Sequence, residues 1–396
     1  TFTIPLMKSI GYDAEFAGAV EATASTGGAI MPPVMGASAF LMAEFVGVKY
    51  WDVVVAAFIP ALMYYLAVLF QVDLYALKNG LHGEARENLP SLKKTIRGIW
   101  KLSPIVLLII LIGPIGFTVQ KCGILTVTYT ILLSFVSKDT RFNKERIKAF
   151  ISDAAHGCLT VAIATAAAGI IIGTVTGTGL SVRLSSVLVK LAGGNFAVLL
   201  ILTMLASLLL GMGLPSAACY LLLASLVAPT MVKLGAPIMA AHLFVLYFGV
   251  ISNVTPPVAM AAYAGAGIAK CNPVKCGVKA FKLAIGGFLL PFFFVYNDVL
   301  LMNGSGLEVA QAAVMATIGI YCIACALEGY IWTAPIDIFA RVAMAAAGLL
   351  TIHPATFTDL IGIAIIVAVH LLYNAKFRKS GGRKAATARV SGTQKQ

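Results

Sequence analysis

Apolar stretches of near-bilayer length recur along almost the whole chain and are separated by short polar segments. A helix needs about 20 predominantly apolar residues to cross the hydrocarbon core of a membrane. The pattern predicts crossing segments at 11–43, 51–70, 155–178, 237–269, 283–299, 310–327, 335–350 and 357–374, and two short spans within 103–136. It therefore predicts an all-α polytopic membrane protein, with 181–190 as an amphipathic arm at the surface.

The composition supports this class of protein. Of the 396 residues, 60% are hydrophobic and 11% are charged, whereas about 25% of residues are charged in soluble domains. Among the seven cysteines, Cys322 and Cys325 form a CxxC inside an apolar run, with no second pair at metal-site spacing. We interpret them as small buried thiols, and no cofactor or bound metal is predicted beyond a coupling ion.

Basic residues predict the orientation in the membrane. Of the 29 Lys and Arg residues, 22 fall into four clusters, at 78–101, 138–148, 270–282 and 376–395. Cytoplasmic loops are enriched in such residues, and the predicted spans place all four clusters on one side. The C-terminus is therefore predicted to be cytoplasmic. We expect its basic tail to meet anionic lipid and not nucleic acid.

Three stretches of helix-breaking residues lie within these apolar segments. STGGAIMPP (25–33) interrupts the first span, and ISNVTPP (251–257) interrupts the segment 237–269. GMGLPS (211–216) lies midway along 195–235, with no Lys or Arg within ten positions on either side. The segment 195–235 can be interpreted as two full spans or as a re-entrant hairpin, and both interpretations leave the orientation of the later segments unchanged. Because a cytoplasmic turn would be expected to carry basic residues, we favour a hairpin whose tip lies at mid-membrane depth.

The two broken segments form an internal repeat. Aligned on their prolines, Pro32 and Pro33 match Pro256 and Pro257, 224 residues later, and Gly11 matches Gly235. The first segment is predicted to run outward and the second inward, so the copies are inverted. Inverted repeats with interrupted helices at matching positions are the best sequence indication of a secondary transporter's binding site.

The breaks carry the predicted site. Unwound backbone exposes carbonyl groups, which together with hydroxyl oxygens suit a weakly held cation such as Na⁺, while half-helix N-termini suit a carboxylate. The candidate ion- and substrate-binding residues are Thr23, Ser25, Thr26, Gly27, Gly28 and Pro32 in the first break; Gly211, Gly213, Pro215 and Ser216 in the hairpin tip; and Ser252, Asn253, Thr255 and Pro256 in the second break. Glu21 and His242 are candidates for a proton or polar relay, although each is also explained by packing or solvation.

Three motifs resemble the large membrane subunit of TRAP (tripartite ATP-independent periplasmic) transporters, most closely the fused permeases of the TAXI subgroup. They are GYDAEFAGAVEATASTGGAIMPPVMGASAFLMAEF (11–45), GMGLPSAACYLLLASLVAP (211–229) and HLFVLYFGVISNVTPPVAMAAYA (242–264). The resemblance implies an elevator-type importer of a small organic acid in the bacterial inner membrane. It also implies coupling to a Na⁺ or H⁺ gradient and delivery of substrate by a periplasmic TAXI-type substrate-binding protein.

The resemblance further implies that sequence is missing before Thr1. The family has one helical hairpin in each repeat, and only the second is found here. We expect the first hairpin and the small-subunit helices of a fused permease upstream. The predicted divisions are the end of the first repeat (1–101), a connecting span pair and loop (102–150), the second repeat (151–300) with its hairpin at 195–235 and its broken helix at 237–269, a transmembrane extension (301–375) and a tail (376–396).

Other functions remain as alternatives. A membrane-embedded enzyme would need a catalytic set such as HExxH, GxSxG or paired aspartates, and the sequence contains none. A channel is less favoured, because inverted broken helices are typical of alternating access. No Walker A motif is present, so ATP is not predicted as the direct energy source. The nearest alternative is a cation-coupled carboxylate symporter or exchanger that works without a binding protein.

Overall fold

The computed structural model describes residues 2–84, 98–136, 143–352 and 356–379, together with 91, 96, 140 and 141. Most of the predicted tail (380–396) and much of the first basic cluster (85–90 and 92–95) lie outside the described residues. The prediction of an all-α polytopic membrane protein is confirmed. Five helices of the described part are long and apolar enough to span a membrane: Tyr50–Asn79, Ser216–Lys233, Pro273–Tyr296, Gly306–Glu328 and Phe357–Ala375.

The described α-helices, in chain order, are α1 (Thr3–Ser9), α2 (Ala14–Gly27), α3 (Ala37–Val46), α4 (Tyr50–Asn79), α5 (Ser103–Ile112), α6 (Val119–Ser134), α7 (Lys144–Gly177), α8 (Leu180–Ala192), α9 (Phe196–Gly211), α10 (Ser216–Leu226), α11 (Ala228–Lys233), α12 (Ile238–Ile251), α13 (Met260–Ala269), α14 (Pro273–Tyr296), α15 (Gly306–Glu328), α16 (Ile338–Ile352) and α17 (Thr356–Lys379). Short 3₁₀ turns lie at Ile99–Leu102, Ser252–Val254 and Asp298–Leu301. The strands β1 (Tyr330–Ile331) and β2 (Ala334–Pro335) pair antiparallel between α15 and α16.

Two helices begin well before the apolar segments that predicted them. α7 begins at Lys144 and α14 at Pro273, each within a basic cluster. Hydropathy detects only the part of a helix that lies in lipid, whereas the backbone ladder continues beyond it. At α14 the start is set locally, because the Asn272 side chain accepts a hydrogen bond from the Lys275 amide and proline occupies the first helical position.

Two segments have matching element bounds 224 residues apart. α2 (Ala14–Gly27) corresponds to α12 (Ile238–Ile251), and both are preceded by a left-handed glycine, Gly11 at φ 102° and Gly235 at φ 99°. Beyond each break, Met35 at φ 52° and Ala259 at φ 36° also lie in the left-handed region. These paired features support the internal repeat that the sequence predicts.

Contacts between the copies run in opposite directions. Along α4 and α14, Tyr64 lies against Gly287, Ala67 against Gly286, and the Gln71 amide donates to the Leu283 carbonyl at 2.9 Å. Residue numbers rise on α4 as they fall on α14, so these equivalent helices are antiparallel. The contacts support the predicted inversion, while the direction of each helix relative to the cytoplasm stays a prediction.

A glycine contact brings the copies close together. A Cβ added at Gly265 on α13 would lie 2.7 Å from the Gly18 carbonyl oxygen of α2, and one at Gly18 would lie 3.2 Å from the Gly265 carbonyl oxygen. Small residues allow membrane helices to approach until their backbones touch. The first half of one broken helix thus packs directly on the second half of the other.

The C-terminal helices join the two copies through the end of α15. The Lys282 ammonium of α14 lies 2.6 Å from the buried Glu328 carboxylate, and the Lys78 ammonium of α4 donates to the Glu328 carbonyl at 2.8 Å. The Arg341 guanidinium of α16 donates to the carbonyls of Ala326 and Leu327. Lys78 and Arg341 therefore satisfy three carbonyls at the end of α15, while Lys282 pairs with the Glu328 side chain, and all three cations lie at the negative end of the helix dipole.

We predict that Gly265→Ala destabilises the protein by about 1–3 kcal/mol, because the added methyl group overlaps a backbone oxygen and forces α2 and α13 apart. The measurement is the midpoint of thermal unfolding in detergent. Gly267→Ala is the matched control, since a Cβ at Gly267 would have no atom of the described residues within 4 Å. Equal midpoints for the two variants would contradict the close backbone contact.

Candidate ion and substrate site

The first break lies between α2, which ends at Gly27, and α3, which begins at Ala37. Its backbone closes on itself in short turns. The amides of Gly28, Ala29 and Ile30 donate to the carbonyls three residues earlier, at 3.1, 3.2 and 3.0 Å, and the Gly36 amide returns to the Ala29 carbonyl at 2.9 Å. The helical ladder is thus replaced by a compact loop at the place where the sequence predicts an interruption.

Tyrosines of α4 support both sides of this loop. The Tyr64 hydroxyl donates to the Thr23 carbonyl at 2.8 Å, and the Tyr65 hydroxyl to the Ala24 carbonyl at 3.0 Å. On the far side, the Tyr50 hydroxyl lies 2.9 Å from the Pro33 carbonyl and 2.8 Å from the Val34 carbonyl. A neighbouring helix therefore supplies donors to carbonyls at both ends of the interruption.

The first break requires glycine at position 27. A Cβ there would lie 2.6 Å from Tyr64 Cε1 and 3.0 Å from Tyr65 Cζ, so both aromatic rings press on the end of α2. Gly28 follows as the exposed C-cap. Position 27 is therefore glycine because it packs closely against the tyrosines, and its backbone angles do not require one.

The other predicted residues of the first break are not equivalent. The Thr23 hydroxyl is buried and donates to the Ala19 carbonyl at 2.8 Å and toward the Ala280 carbonyl of α14 at 3.3 Å, so it faces the other copy. Ser25 is exposed, with its hydroxyl 3.5 Å from the Glu21 carboxylate. Thr26 and Pro32 are half-buried beside the loop.

The second break lies between α12, which ends at Ile251, and α13, which begins at Met260. Here the side chains of the break itself are the donors. The Ser252 hydroxyl donates to the Gly249 carbonyl at 2.7 Å, the Asn253 amide to the Val250 carbonyl at 3.1 Å, and the Thr255 hydroxyl to the Ile251 carbonyl at 2.8 Å. Pro256, the last predicted residue of this break, is half-buried.

The tip of the predicted hairpin meets the second break. α9 ends at Gly211, whose carbonyl also accepts from the Ser252 hydroxyl at 3.1 Å. A Cβ at Gly211 would lie 2.8 Å from Ser252 Oγ and 3.1 Å from Cys219 Sγ, so only glycine allows this approach. Gly213 is exposed with φ 78° and has open space around it. Pro215 is exposed, and Ser216 is half-buried at the first position of α10.

One aromatic ring connects the two breaks. A Cβ added at Gly287 of α14 would lie 2.6 Å from Tyr64 Cε2 and 3.0 Å from Ile251 Cδ1. The Tyr64 ring and the Ile251 side chain at the end of α12 therefore both lie against Gly287, and the other edge of the ring lies against Gly27 at the end of α2. The structure brings the first break, the second break and the tip at Gly211 into one contiguous region through Tyr64 and Ser252.

The two candidate relay residues have separate surroundings. Glu21 is half-buried and lies one turn before the first break, beside the Ser25 hydroxyl. His242 is buried, and its Nδ1 lies 2.8 Å from the Tyr220 hydroxyl of α10. The Tyr220 contact ties the hairpin's second helix to α12, and a relay role for either residue stays a prediction.

Sequence reasoning missed the hydroxyl groups that act across helices. Tyr50, Tyr64 and Tyr65 were visible only as aromatic residues of α4. Several buried hydroxyls have no hydrogen-bond partner within the described part of the chain: Ser38 Oγ, Thr203 Oγ1, Ser207 Oγ and the Tyr247 hydroxyl. Ser38 lies in the first turn of α3, and Thr203 and Ser207 share with Gly211 one face of α9.

A pocket of about 240 Å³ lies elsewhere, beside the 3₁₀ turn Asp298–Leu301 and the C-terminal helices. Its polar lining comes from Asn297, Glu308, Gln311, Thr351 and Asp359, and it shares no residue with the predicted site. Among the described residues, no group of three or more His, Cys, Asp or Glu side chains is arranged to hold a metal ion. The predicted cation site would be built from carbonyl and hydroxyl oxygens, so it is not a cluster of that kind.

We predict that Gly211→Ala separates the tip from the second break, because the new methyl group overlaps Ser252 Oγ. The buried Cys219 thiol beside it should then react faster with N-ethylmaleimide. An overpacking cost of about 1–3 kcal/mol corresponds to about a 5- to 150-fold increase in local opening. The variant is made with Cys158 and Cys271, the two cysteines that are not buried, replaced by serine.

Gly123→Ala is the control for this labelling, since a Cβ at Gly123 would meet nothing within 4 Å. An unchanged labelling rate of Cys219 in Gly211→Ala would argue against the contact between the tip and the break.

A search of curated proteins found no match to this chain. A family model described as the DctM component of the tripartite ATP-independent periplasmic transporter matches residues 1–309. The matched region contains both breaks and the predicted hairpin, and it ends early in α15. The match does not show whether the chain belongs to the TAXI subgroup. The chain belongs to the DctM family, the large membrane component of tripartite ATP-independent periplasmic transporters.

Proposed function

We propose that this chain is the membrane subunit of a secondary active importer for a small organic acid in the bacterial inner membrane. In this proposal a Na⁺ or H⁺ gradient drives an elevator movement, and a periplasmic TAXI-type binding protein delivers the substrate. The family is a transporter component that works with a periplasmic substrate-binding protein and other subunits, and it is not an enzyme family.

The observation that carries the proposal is that the two helix breaks lie close together around Tyr64, within two copies whose equivalent helices α4 and α14 are antiparallel. Irregular backbone at membrane depth is tolerated only where protein or a water-filled cavity satisfies its polar groups. Secondary transporters place substrate and ion sites where such interruptions of two repeats meet. The hydrogen bond from the Ser252 hydroxyl to the Gly211 carbonyl places the hairpin tip against the second interruption.

A carboxylate substrate is supported by the helix ends at this region. α3 and α13 start immediately after the breaks, and α10 starts at the tip. Their N-cap residues are Gly36, Ala259 and Pro215, and none of them provides a side-chain cap. First-turn amides and the positive end of each dipole are therefore left without a side-chain acceptor, which suits an anionic group.

A coupling cation is supported by the concentration of oxygen atoms. Carbonyls of the last turns of α2 and α12 point toward the breaks, and the Ser252 and Thr255 hydroxyls bond to the Gly249 and Ile251 carbonyls there. Cysteine or histidine ligands, which transition metals prefer, are absent from the predicted positions, whereas hard cations prefer oxygen. The proposal therefore assigns cation binding to the breaks and carboxylate binding to the helix ends.

The function is tested by uptake of radiolabelled small organic acids into proteoliposomes that contain the complete membrane transporter. Inward Na⁺ and proton gradients are imposed separately, with and without the periplasmic binding protein. The proposal expects uptake that requires one gradient and the binding protein. Cation-driven uptake without the binding protein would instead favour a symporter or exchanger, and the absence of uptake under either gradient for every acid would overturn the proposal.

Ser252→Ala should lower gradient-driven uptake by about tenfold, because it removes a site oxygen and the hydrogen bond to the Gly211 carbonyl. Leaving that buried carbonyl without this donor costs about 1–3 kcal/mol. Ser225→Ala is the matched control, since among the described residues the Ser225 hydroxyl bonds only to the Leu221 and Leu222 carbonyls of its own helix. Equal uptake by the two variants would show that Ser252 is not part of the site.

Thr26→Ala and Thr255→Ala address the cation sites of the two breaks separately. Each should raise the cation concentration that gives half-maximal uptake, because each removes one candidate oxygen ligand. Unchanged cation dependence in both variants would show that these stretches do not bind the coupling ion.

A further inference from the structure

The pocket of about 240 Å³ beside the C-terminal helices lies where four helix ends meet, outside the predicted ion and substrate site. The helices are α14, which ends at Tyr296, α15, which begins at Gly306, α16, which ends at Ile352, and α17, which begins at Thr356. Six of its ten described lining residues lie beyond residue 309, where the family match ends. Membership of the family therefore does not assign a role to this pocket.

The lining of this pocket is negatively charged. Glu308 and Asp359 both line it, each in the first turn of its helix, and no described lining residue is a Lys or an Arg. The sequence from 283 to 375, which contains all four helix ends, has one basic residue of these two types, Arg341. Arg341 lies near the other end of α16, where it bonds to carbonyls of α15. This part of the chain therefore brings two carboxylates to the pocket and no basic side chain.

Helix capping accounts for only part of this charge. An acidic residue in the first turn stabilises a helix, and at α15 the cap uses one oxygen of Glu308. Its Oε2 accepts from the Ser305 amide at 2.8 Å and from the Ser305 hydroxyl at 2.9 Å. An ionised carboxylate offers about four acceptor positions, so the cap leaves acceptor capacity on Glu308. Glu308 is exposed, as is Gln311 one turn later, so a ligand can reach this wall from outside the protein.

The inner wall of the pocket is apolar around one hydroxyl oxygen. Leu300 and Ile352 are buried and line it. Thr351 is also buried, and its hydroxyl donates to two carbonyls of its own helix, at 3.1 and 3.2 Å. Because its hydrogen is used within the helix, the Thr351 oxygen acts as an acceptor toward the pocket. The pocket thus combines negative charge and acceptor oxygens with an apolar wall.

We propose that this pocket binds a small organic cation, in which a primary ammonium group ends a short alkyl chain. The ammonium group donates to the carboxylates of Glu308 and Asp359 and to the Thr351 oxygen, and the chain lies against Leu300 and Ile352. An ammonium group has three donors and no acceptor, which matches this lining. Ligand pockets usually measure about 300–1,000 Å³, so a volume of about 240 Å³ restricts the ligand to a few heavy atoms. The inference does not depend on the proposed transport function.

The test uses the purified complete transporter in detergent, with n-butylammonium as the probe. A ligand that binds only the folded state raises the thermal midpoint as its concentration increases. The chloride salt of n-butylammonium is exchanged against KCl at constant ionic strength and constant NaCl. We expect a saturable rise in midpoint, and no such rise with 1-butanol, which lacks the charge, or with potassium butyrate, which carries the opposite charge.

Glu308→Gln should raise the half-saturating n-butylammonium concentration by about tenfold, because a charge-assisted hydrogen bond is replaced by a neutral one. Glutamine also serves at the third position of a capping box, so the variant keeps the helix cap. Glu145→Gln is the matched control, since Glu145 is an exposed first-turn carboxylate of α7 and lies outside the pocket. Its half-saturating concentration should equal that of the wild type.

Gln311→Glu tests the same pocket by adding charge. It places a third carboxylate at an exposed lining position and should lower the half-saturating n-butylammonium concentration by about threefold. A role of Glu308 in helix capping alone would not produce this gain. The variant also keeps the proposal testable if Glu308→Gln does not fold.

Two sources can supply this ammonium chemistry, a free amine or the ethanolamine headgroup of a membrane lipid. Phosphatidylethanolamine added to the micelles should raise the half-saturating n-butylammonium concentration if the lipid is the ligand, whereas the same content of phosphatidylglycerol should not. Equal effects of the two lipids would assign the pocket to a free amine.

Three results would overturn the inference. One is a wild-type midpoint that n-butylammonium does not raise, and another is a rise of the same size with 1-butanol. The third is an equal half-saturating concentration in the wild type, Glu308→Gln and Gln311→Glu, which would leave the two acids as helix caps only. None of these results bears on gradient-driven uptake, so the proposed function stands or fails separately.

Discussion

Backbone polar groups have no water to bond with inside a membrane, and this constraint governs the centre of the molecule. An interrupted helix exposes several amides and carbonyls where lipid can satisfy none of them. The first break is completed by hydroxyls from α4, and the second by its own serine, asparagine and threonine and by the meeting with Gly211. Both solutions place a dense set of oxygen atoms at the interruption, which is the chemistry that a weakly bound cation needs.

The helix bounds near the breaks were largely predictable, because glycine and proline act locally. STGGAIMPP and ISNVTPP weaken or prevent a helix through their own backbones, and α2 and α12 end within them. The repeat was also readable, since an offset of 224 residues aligns both the prolines and the glycines. The approach of α14 to α4 was outside the reach of such reasoning, because it depends on glycines that face a helix far away in sequence.

The hydrogen-bond donors of the first break were not predictable from the break. Tyr64 and Tyr65 lie about 40 residues from the carbonyls that they bind, and aromatic residues in a membrane helix usually indicate packing or an interfacial position. Thr23 was a candidate ion ligand because of its residue type. Its hydroxyl donates to the Ala19 carbonyl of α2 and toward the Ala280 carbonyl of α14, and an ion-binding role stays a prediction. Residue type gave the chemistry, whereas orientation came from tertiary packing.

The cations at the end of α15 show how closely the C-terminal helices are joined to the two repeats. α15 to α17 lie mostly beyond the region matched by the family model. Yet Glu328 receives Lys282 from one copy and lies beside Lys78 from the other. Removing these helices would leave Lys78 and Lys282 without these partners and would uncover the apolar surface on which α15 packs. The C-terminal helices and the two repeats therefore depend on each other for the packing and charge balance at this helix end.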